Sequence, residues 1–330
     1  MFRNQLAKWM GSYPTPAAGL ALGLSGMMVD WSLMVEGGHR IEAVGGVIAI
    51  LLLLPLIGKY LLQPKRLHDD LSHVVIGSVV PTFAMALMVI SGILTHWFSG
   101  AAELLWTVAV GLHFIFFSVF FYHRAKSFQL HHMVPSWFVP PIGIVVAAVY
   151  VPHVPWCITV AQILVLLGLI AYVILLPVML YRLVLHDTIE MGARPTIAIM
   201  AAPASLTLAG YLTAVPHPYH FLVLVLLGVA FLMTLMIYLM LLHLLRLPFS
   251  PGFAAYTFPL VISATATYKV GLWAERVYPA LLPWHEILTA SMFQLVISTA
   301  VIAYVFIRYM MFLRKNWLTA VAVRTADSVQ

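Results

Sequence analysis

The chain has 330 residues, of which 63% are hydrophobic and only 8% are charged, and its mean hydropathy is +1.00. This small number of polar residues cannot cover a protein surface in contact with water. A soluble protein is therefore excluded, and the composition indicates an integral membrane protein. The formal net charge is +6, and the single cysteine, Cys157, excludes an intrachain disulfide and a multi-cysteine metal site.

Apolar stretches of about 20 residues, the length that crosses about 30 Å of hydrocarbon, follow one another along the chain. The first comes directly after Arg3 and Lys8, but no small-residue cleavage site follows it, so we interpret it as a retained span and not as a signal peptide. Because the connectors are short, residues 1–330 are predicted to form one all-α transmembrane domain. The ten predicted spans are 13–34, 41–62, 74–95, 101–122, 135–152, 157–181, 195–214, 219–245, 252–274 and 284–312.

The positions of lysine and arginine predict the orientation of these spans, because basic residues are enriched in cytoplasmic loops. Only Arg40, Lys269 and Arg276 lie outside when the amino terminus is placed inside. We therefore expect both termini in the cytoplasm and the protein in the inner or plasma membrane of the cell. The 14 residues placed inside are Arg3, Lys8, Lys59, Lys65, Arg66, Arg124, Lys126, Arg182, Arg194, Arg246, Arg308, Arg314, Lys315 and Arg324.

Prolines recur at one depth in the odd-numbered spans, about every 60 residues along the chain. A proline inside a helix removes an N–H donor and kinks or interrupts the helix. The repeat therefore predicts five helical hairpins in a quasi-fivefold arrangement, with a kink in each odd helix. The prolines are Pro16, Pro81, Pro140 with Pro141, Pro203 and Pro259.

Non-helical backbone at membrane depth is tolerated where it is buried in protein or lines a cavity. A single proline is common in membrane helices, but five at matching depth indicate an inner ring of odd helices that lines a central pore. Glycines on the odd spans fit this interpretation because they permit two helices to approach closely. The alternative for any one of these glycines is ordinary helix packing. They are Gly19, Gly23, Gly26, Gly77, Gly92, Gly143 and Gly210.

Acidic residues are missing from the middle of every predicted span, and we place Asp30 and Glu42 with the other acids at the membrane ends. Cation paths and proton-driven pumps usually keep a buried carboxylate, so anions are the favoured substrate. Basic residues at the cytoplasmic ends would raise the local concentration of anions.

Two groups of residues resemble the tellurite-resistance/dicarboxylate transporter family. They are Ala255-Tyr256-Thr257-Phe258-Pro259 in the ninth span, and Pro14-Thr15, Gly19 and Leu22-Gly23-Leu24 in the first. The family includes bacterial tellurite-resistance channel proteins, plant slow anion channels and fungal malate and sulfite transporters, and the resemblance covers essentially the whole chain. It implies a homotrimer in the lipid bilayer in which each subunit has its own anion pore, with Phe258 as the gate.

Helical spacing from Phe258 places Ile262, Thr265 and Lys269 on one stripe above the gate, where Thr265 and Lys269 are candidate pore-lining residues. The alternative for Lys269 is snorkelling to the membrane interface. Further candidate polar lining residues are Thr82, Ser205 and Thr207, with bonding to their own helix backbone as the alternative.

The favoured function is passive, weakly selective transport of small anions such as chloride and nitrate, with a link to tellurite resistance implied by the resemblance. The alternative is a proton-coupled transporter of malate, another C4-dicarboxylate or sulfite with the same fold. A membrane enzyme is disfavoured because His123 and the pair His131-His132 lack the further clusters of a di-iron site, and His113 has no obvious partner for haem. We expect no cofactor, no metal and no nucleic acid.

Overall fold

A computed structural model describes residues 9–35 and 37–327, with side chains as far as Thr319. Within these ranges the secondary structure is helical and no β-strand is formed. Arg3 and Lys8, which were used to predict the orientation, and Glu36, one of the acids expected at the membrane ends, lie outside the described residues.

Helical segments occupy all ten predicted windows, and we number them first to tenth in chain order. The even segments are long, continuous α-helices without a 3₁₀ stretch, and most of their residues are apolar. They are His39–Leu62, Ser99–Lys126, Pro155–Leu185, His220–Leu245 and Trp284–Asp327. A short helix, Pro64–Ser72, connects the second segment to the third.

The odd segments are shorter or are divided into pieces. Four short pieces of 3₁₀ or α-helix follow one another in the fifth segment alone, between Pro135 and Val149. The others are Ala17–Leu33, Ile76–Val79 with Thr82–Leu94, Met191–Ala201 with Ala202–Ala214, and Pro251–Tyr256 with Phe258–Val277.

An α-helix begins at or next to the repeated proline in each odd segment. Pro16 and Pro81 directly precede their helices, whereas Pro140, Pro203 and Pro259 occupy the second helical position. Proline is favoured at a helix start because its fixed φ suits the helix and its missing N–H would have no intrahelical partner there. The spacing of the prolines therefore marks five helix starts.

Burial separates the two sets of segments. In the second, fourth, sixth, eighth and tenth segments, between 28% and 39% of the most apolar window is buried, against 72% in the third and 78% in the seventh. Among the described residues, seven helices are long and apolar enough to cross a membrane: the five even ones, the third and the seventh. The large exposed apolar side chains of the even helices, such as Leu61, Val173 and Leu239, suit contact with lipid.

The odd segments pack on one another as well as on the even segment that follows each of them. The first contacts the third and the ninth, and the third contacts the fifth. The seventh contacts both the fifth and the ninth. Each odd segment therefore has two odd neighbours, and the surfaces between them form the interior of the protein.

Candidate functional site

A cavity of about 510 Å³ lies among the five odd segments. Its lining includes residues before and after the repeated prolines, so the 3₁₀ pieces and the first turns of the α-helices both border it. The exposed residues Ser12 and Arg66 also line it, which shows that the cavity reaches the protein surface at the end where the odd segments begin.

The other end of the cavity is apolar. In each odd segment, the lining residues stop at a certain position, and no described residue after it in that segment borders the cavity. Because the odd segments run in the same direction, these last positions mark the closed end. The last lining residues are Leu22, Met85, Gly143, Leu206 and Pro259, with Phe258 beside the last.

Phe258 is the first residue of its α-helix and is only 5% exposed, although it borders the cavity. A Cβ atom added at Gly26 of the first segment would lie 3.9 Å from Phe258 Cδ2. The predicted gate residue is therefore at the closed end of the cavity, and its ring packs beside the first segment.

Glycines on the first segment allow it to approach the ninth at this point. A Cβ at Gly23 would overlap Thr257 Oγ1 and would lie 2.8 Å from Phe258 N, which is closer than real Cβ atoms come to other heavy atoms. The Thr257 hydroxyl also lies 3.0 Å from the carbonyl oxygen of Gly19. Because Gly19, Gly23 and Gly26 are spaced by four and three residues, they lie on one helix face.

Beyond Phe258, the ninth segment carries the stripe that helical spacing predicted. Ile262 and Thr265 are buried and Lys269 is half-buried. The Thr265 hydroxyl donates to Asp30 Oδ2 over 2.8 Å, and Lys269 and Asp30 attract one another electrostatically.

Asp30 lies near the end of its helix, as predicted, but it is buried, which the sequence did not indicate. Asp30 is only 5% exposed and belongs to the helix Ala17–Leu33, three residues before its end. Glu42 is also buried, at 4% exposure. The sequence argument against proton coupling, which rested on the lack of a buried carboxylate, loses force for this reason.

The three candidate polar lining residues differ in position. Thr82 borders the cavity, and its hydroxyl donates to the carbonyl of Val79 over 2.6 Å. Ser205 and Thr207 do not border it, and they donate to Ala201 O and Pro203 O of their own segment. Of the other predicted pore residues, Pro16, Gly19, Pro203 and Pro259 line the cavity, whereas Gly23, Pro81, Pro140, Pro141, Thr265 and Lys269 do not.

An ion pair lies beside the mouth of the cavity, and the sequence did not indicate it. Lys59 Nζ contacts Asp70 Oδ2 at 2.7 Å, and Thr15 and Tyr60 place their hydroxyls 2.7 Å and 3.1 Å from the same carboxylate oxygen. Lys59, Asp70 and Thr15 all line the cavity. The charge of Lys59 is therefore compensated, and Arg66 is the cation among the described lining residues that makes no ion pair.

Several other basic residues predicted to attract anions instead hold loop carbonyls. Arg124 donates to the carbonyl of Ser72, and Arg182 donates to Asp187 O over 2.8 Å and to His131 O over 3.0 Å. Arg194 donates to Ile189 O. These side chains fix the connections between segments, and none of the three lines the cavity.

His113, for which the sequence offered no haem partner, has a structural one. Its side chain is 1% exposed, and Nε2 lies 2.8 Å from the carbonyl oxygen of Pro140 in the broken fifth segment. An imidazole N–H therefore satisfies a backbone acceptor at a helix start. The sequence contains no pattern that indicates this contact, and the three-dimensional structure is needed to identify it.

The architecture and cavity can be set beside known proteins. A family model described as "voltage-dependent anion channel" matches residues 17–318. Two proteins of Methanocaldococcus jannaschii, each described as an uncharacterized transporter, are similar to the chain. One is 26% identical over 243 residues, which is 64% of this chain and 69% of the relative. The other is 26% identical over 252 residues, which is 66% of this chain and 71% of the relative.

The family match extends from the first segment into the tenth and includes every segment that borders the cavity. It confirms the resemblance inferred from the first-span and ninth-span motifs, and it agrees with apolar helices that cross a membrane several times. The chain is therefore a multi-pass membrane protein that belongs to the voltage-dependent anion channel family.

Proposed function

We propose that the protein conducts small anions passively across a cell membrane, along a path that follows the cavity and continues past Phe258. The observation that carries this proposal is the cavity of about 510 Å³ bordered by all five odd segments and closed by apolar residues at Phe258. Chloride and nitrate are the substrate class, and the family description supports anion transport.

Phe258 acts as the gate of this path. An apolar constriction excludes ions because water leaves it and the ion would lose its hydration shell. Opening requires the ring to move, which the small neighbour Gly26 favours, since it places no side chain beside the ring. The glycine contacts at Gly23 fix the backbone from which the ring projects.

The odd segments form a quasi-fivefold ring within one transmembrane domain, with kinks at their prolines. Their mutual contacts and their deep burial support the ring, and the five helix starts support a change of direction at the prolines. The mouth with Arg66 faces the cytoplasm, as do both termini, in an inner or plasma membrane. The subunits assemble as a homotrimer in which each conducts by itself.

Selectivity among anions is weak. Lys59 and Asp70 compensate one another at the mouth, so Arg66 supplies the net charge of the described lining. The remaining lining is mostly apolar, and few groups are available to replace the water around an ion. Anions that dehydrate easily therefore pass best, and tellurite is an oxyanion that the same path would carry.

A second candidate is a proton-coupled transporter of a C4-dicarboxylate or of sulfite, and the buried Asp30 favours it. Ionisable side chains inside the membrane often belong to proton relays. Asp30 lies one hydrogen bond from Thr265 on the helix that begins with Phe258, close enough to couple its protonation to the same path.

Flux into liposomes tests the proposal. We expect Phe258→Ala to raise chloride and nitrate flux by about tenfold, which corresponds to a barrier lower by about 1.4 kcal/mol. Phe221→Ala is the matched control, because Phe221 is 66% exposed on an even helix and its loss leaves the cavity intact.

Each measurement is made with and without a proton gradient. Passive conduction predicts the same flux in both conditions. Unchanged flux in Phe258→Ala would contradict the gate, and uptake of malate or sulfite that depends on the gradient would favour the second candidate.

A further inference from the structure

Two histidines and a glutamate converge at the end of the protein away from the cavity mouth. His39 and Glu42 lie in the first turn of the second segment, and His96 follows the end of the third. His39 Nδ1 and His96 Nε2 each lie 3.2 Å from Glu42 Oε1, and the three ligand atoms lie within 4.8 Å of one another.

The distances suit a metal ion. Zinc bonds to imidazole nitrogen and carboxylate oxygen at about 2.0–2.1 Å in a tetrahedral arrangement, which sets ligand atoms about 3.3 Å apart. Both contacts of Glu42 already have nearly this length. The two imidazole nitrogens, which lie within 4.8 Å of one another, would have to come closer, and the 60% and 45% exposure of their side chains leaves room for this movement.

The glutamate has the surroundings of a positioned ligand. Its side chain is only 5% exposed, and the Ser32 hydroxyl lies 3.2 Å from its second oxygen, Oε2. Such a partner orients a ligating carboxylate from the outer shell of a metal site. The exposed histidines leave the centre accessible to an ion from water.

We propose that His39, Glu42 and His96 form a binding site for Zn²⁺ or a similar divalent transition-metal ion, with water as the fourth ligand. Imidazole and carboxylate are the donors such ions prefer, and two histidines with one glutamate form a known zinc ligand set. The proposal does not depend on the anion path, because Lys59 at the cavity lies at the opposite end of the second segment.

An ion at this site would join the second segment to the end of the third, and Glu42 would connect it to the first through Ser32. His39 and Glu42 belong to the second segment and His96 to the end of the third, while Ser32 lies in the last turn of the first. The same first segment carries Asp30 and the glycines beside Phe258. The bound ion would restrain the end of a helix that packs against the gate.

Metal titration of the whole, tag-free protein in detergent tests the site. Calorimetry with Zn²⁺ should give one tight site per chain, and Co²⁺ should give the intense visible absorption of a tetrahedral centre. We expect His39→Gln and Glu42→Gln to weaken binding on the order of 100-fold, and Ser32→Ala to weaken it about 10-fold, as loss of an outer-shell partner does.

Matched controls are other histidines. His153→Ala removes an exposed histidine before the sixth segment, and the double variant His68→Ala/His123→Ala removes a pair whose rings lie 5.4 Å apart. Neither should change the tight site. Equal affinity and stoichiometry in His39→Gln, Glu42→Gln and the wild type would overturn the proposal.

Fluorescence supplies a second measurement. The Trp97 ring lies 5.9 Å from His96 and 6.4 Å from His39, so Cu²⁺ at the site should quench it. Trp97→Phe identifies the part of the quenching that comes from Trp97, and this part should be missing in His39→Gln. Its persistence in His39→Gln would overturn the assignment, and thermal unfolding in a chelator checks that each variant is folded.

Discussion

Thr265 on the ninth segment donates a hydrogen bond of 2.8 Å to Asp30 on the first, joining the helix that begins with Phe258 to the helix that packs beside it. Thr265 is seven residues beyond Phe258, or about 10 Å along the helix axis. A buried carboxylate therefore lies in the half of the protein that an anion would reach after passing the gate.

Replacing Asp30 by asparagine should raise anion flux. A buried carboxylate repels a passing anion, and Lys269 offsets only part of this repulsion. Asp30→Asn removes this repulsion, and asparagine still offers an oxygen to Thr265. We expect chloride flux in liposomes to increase by up to about tenfold.

Lys269→Met is the variant of opposite charge, because it removes the cation that Asp30 attracts. It leaves the negative charge of Asp30 uncompensated and should therefore lower the anion flux. A fall in flux for Asp30→Asn, confined to conditions with a proton gradient, would contradict passive conduction and assign Asp30 to proton coupling.

Adding one methyl group at Gly23 should disturb the contact between the first and ninth segments. The new Cβ would lie 2.8 Å from the backbone nitrogen of Phe258, so the two helices must separate. Overpacking of this kind costs about 1–3 kcal/mol. We expect Gly23→Ala to lower the melting temperature in detergent and to change anion flux, because the backbone of Phe258 moves.

Gly228→Ala is the control for this variant. Gly228 lies within the eighth segment with nothing within 4 Å of an added Cβ. Alanine in a helix is favoured over glycine by about 0.5–1 kcal/mol, so this variant should be as stable as the wild type or more stable. Equal melting temperatures for the two variants would contradict the close approach.

Breaking the ion pair at the mouth should increase the attraction of anions to the cavity. Asp70→Asn leaves Lys59 without its carboxylate partner beside the cavity. We expect lower stability, by about 1–3 kcal/mol for the lost charged hydrogen bond, and higher chloride flux per folded protein. The gain in flux should shrink as ionic strength rises, because salt in the solution at the mouth screens the attraction between Lys59 and an approaching anion.

The double variant Lys59→Met/Asp70→Asn removes both charges and should return flux close to the wild-type value. Flux measured at several salt concentrations checks both statements. A lower flux in Asp70→Asn than in the double variant would show that Lys59 does not attract the passing ion.

His113 should stabilise the fold without taking part in transport. His113→Phe leaves the buried Pro140 carbonyl without the imidazole donor, which costs about 1–3 kcal/mol. His113→Gln restores an N–H donor and should recover part of the loss. Thermal unfolding measures both, and chloride flux should stay unchanged; a change in flux with no change in stability would contradict the structural role.

Hydropathy located the helices well but not their ends. The predicted eighth span, 219–245, corresponds to His220–Leu245, because both ends of that helix coincide with a change to polar residues. The tenth helix continues to Asp327, well beyond the predicted residue 312. Hydropathy detects the part of a helix that matches the membrane, and a helix can continue into water where its sequence is polar.

The candidate site was predicted only in part, because some of its contacts join residues that are far apart in the sequence. Phe258 lies beside the cavity that the proline repeat indicated, since both follow from local sequence. Asp30 and Thr265 are 235 residues apart, and no periodic pattern identifies which faces of two distant helices meet. The convergence of His39 and Glu42 with His96 was missed for the same reason.

Helix starts at the prolines also contribute to the electric field at the blind end of the cavity. Four α-helices, Ala17–Leu33, Thr82–Leu94, Ala202–Ala214 and Phe258–Val277, begin there, and the amino end of a helix carries partial positive charge. Some first-turn amides, such as those of Ala17 and Leu260, donate to carbonyls of the preceding turn, which reduces this charge. The part that remains belongs to the main chain, so replacing every lysine and arginine around the mouth would leave it in place.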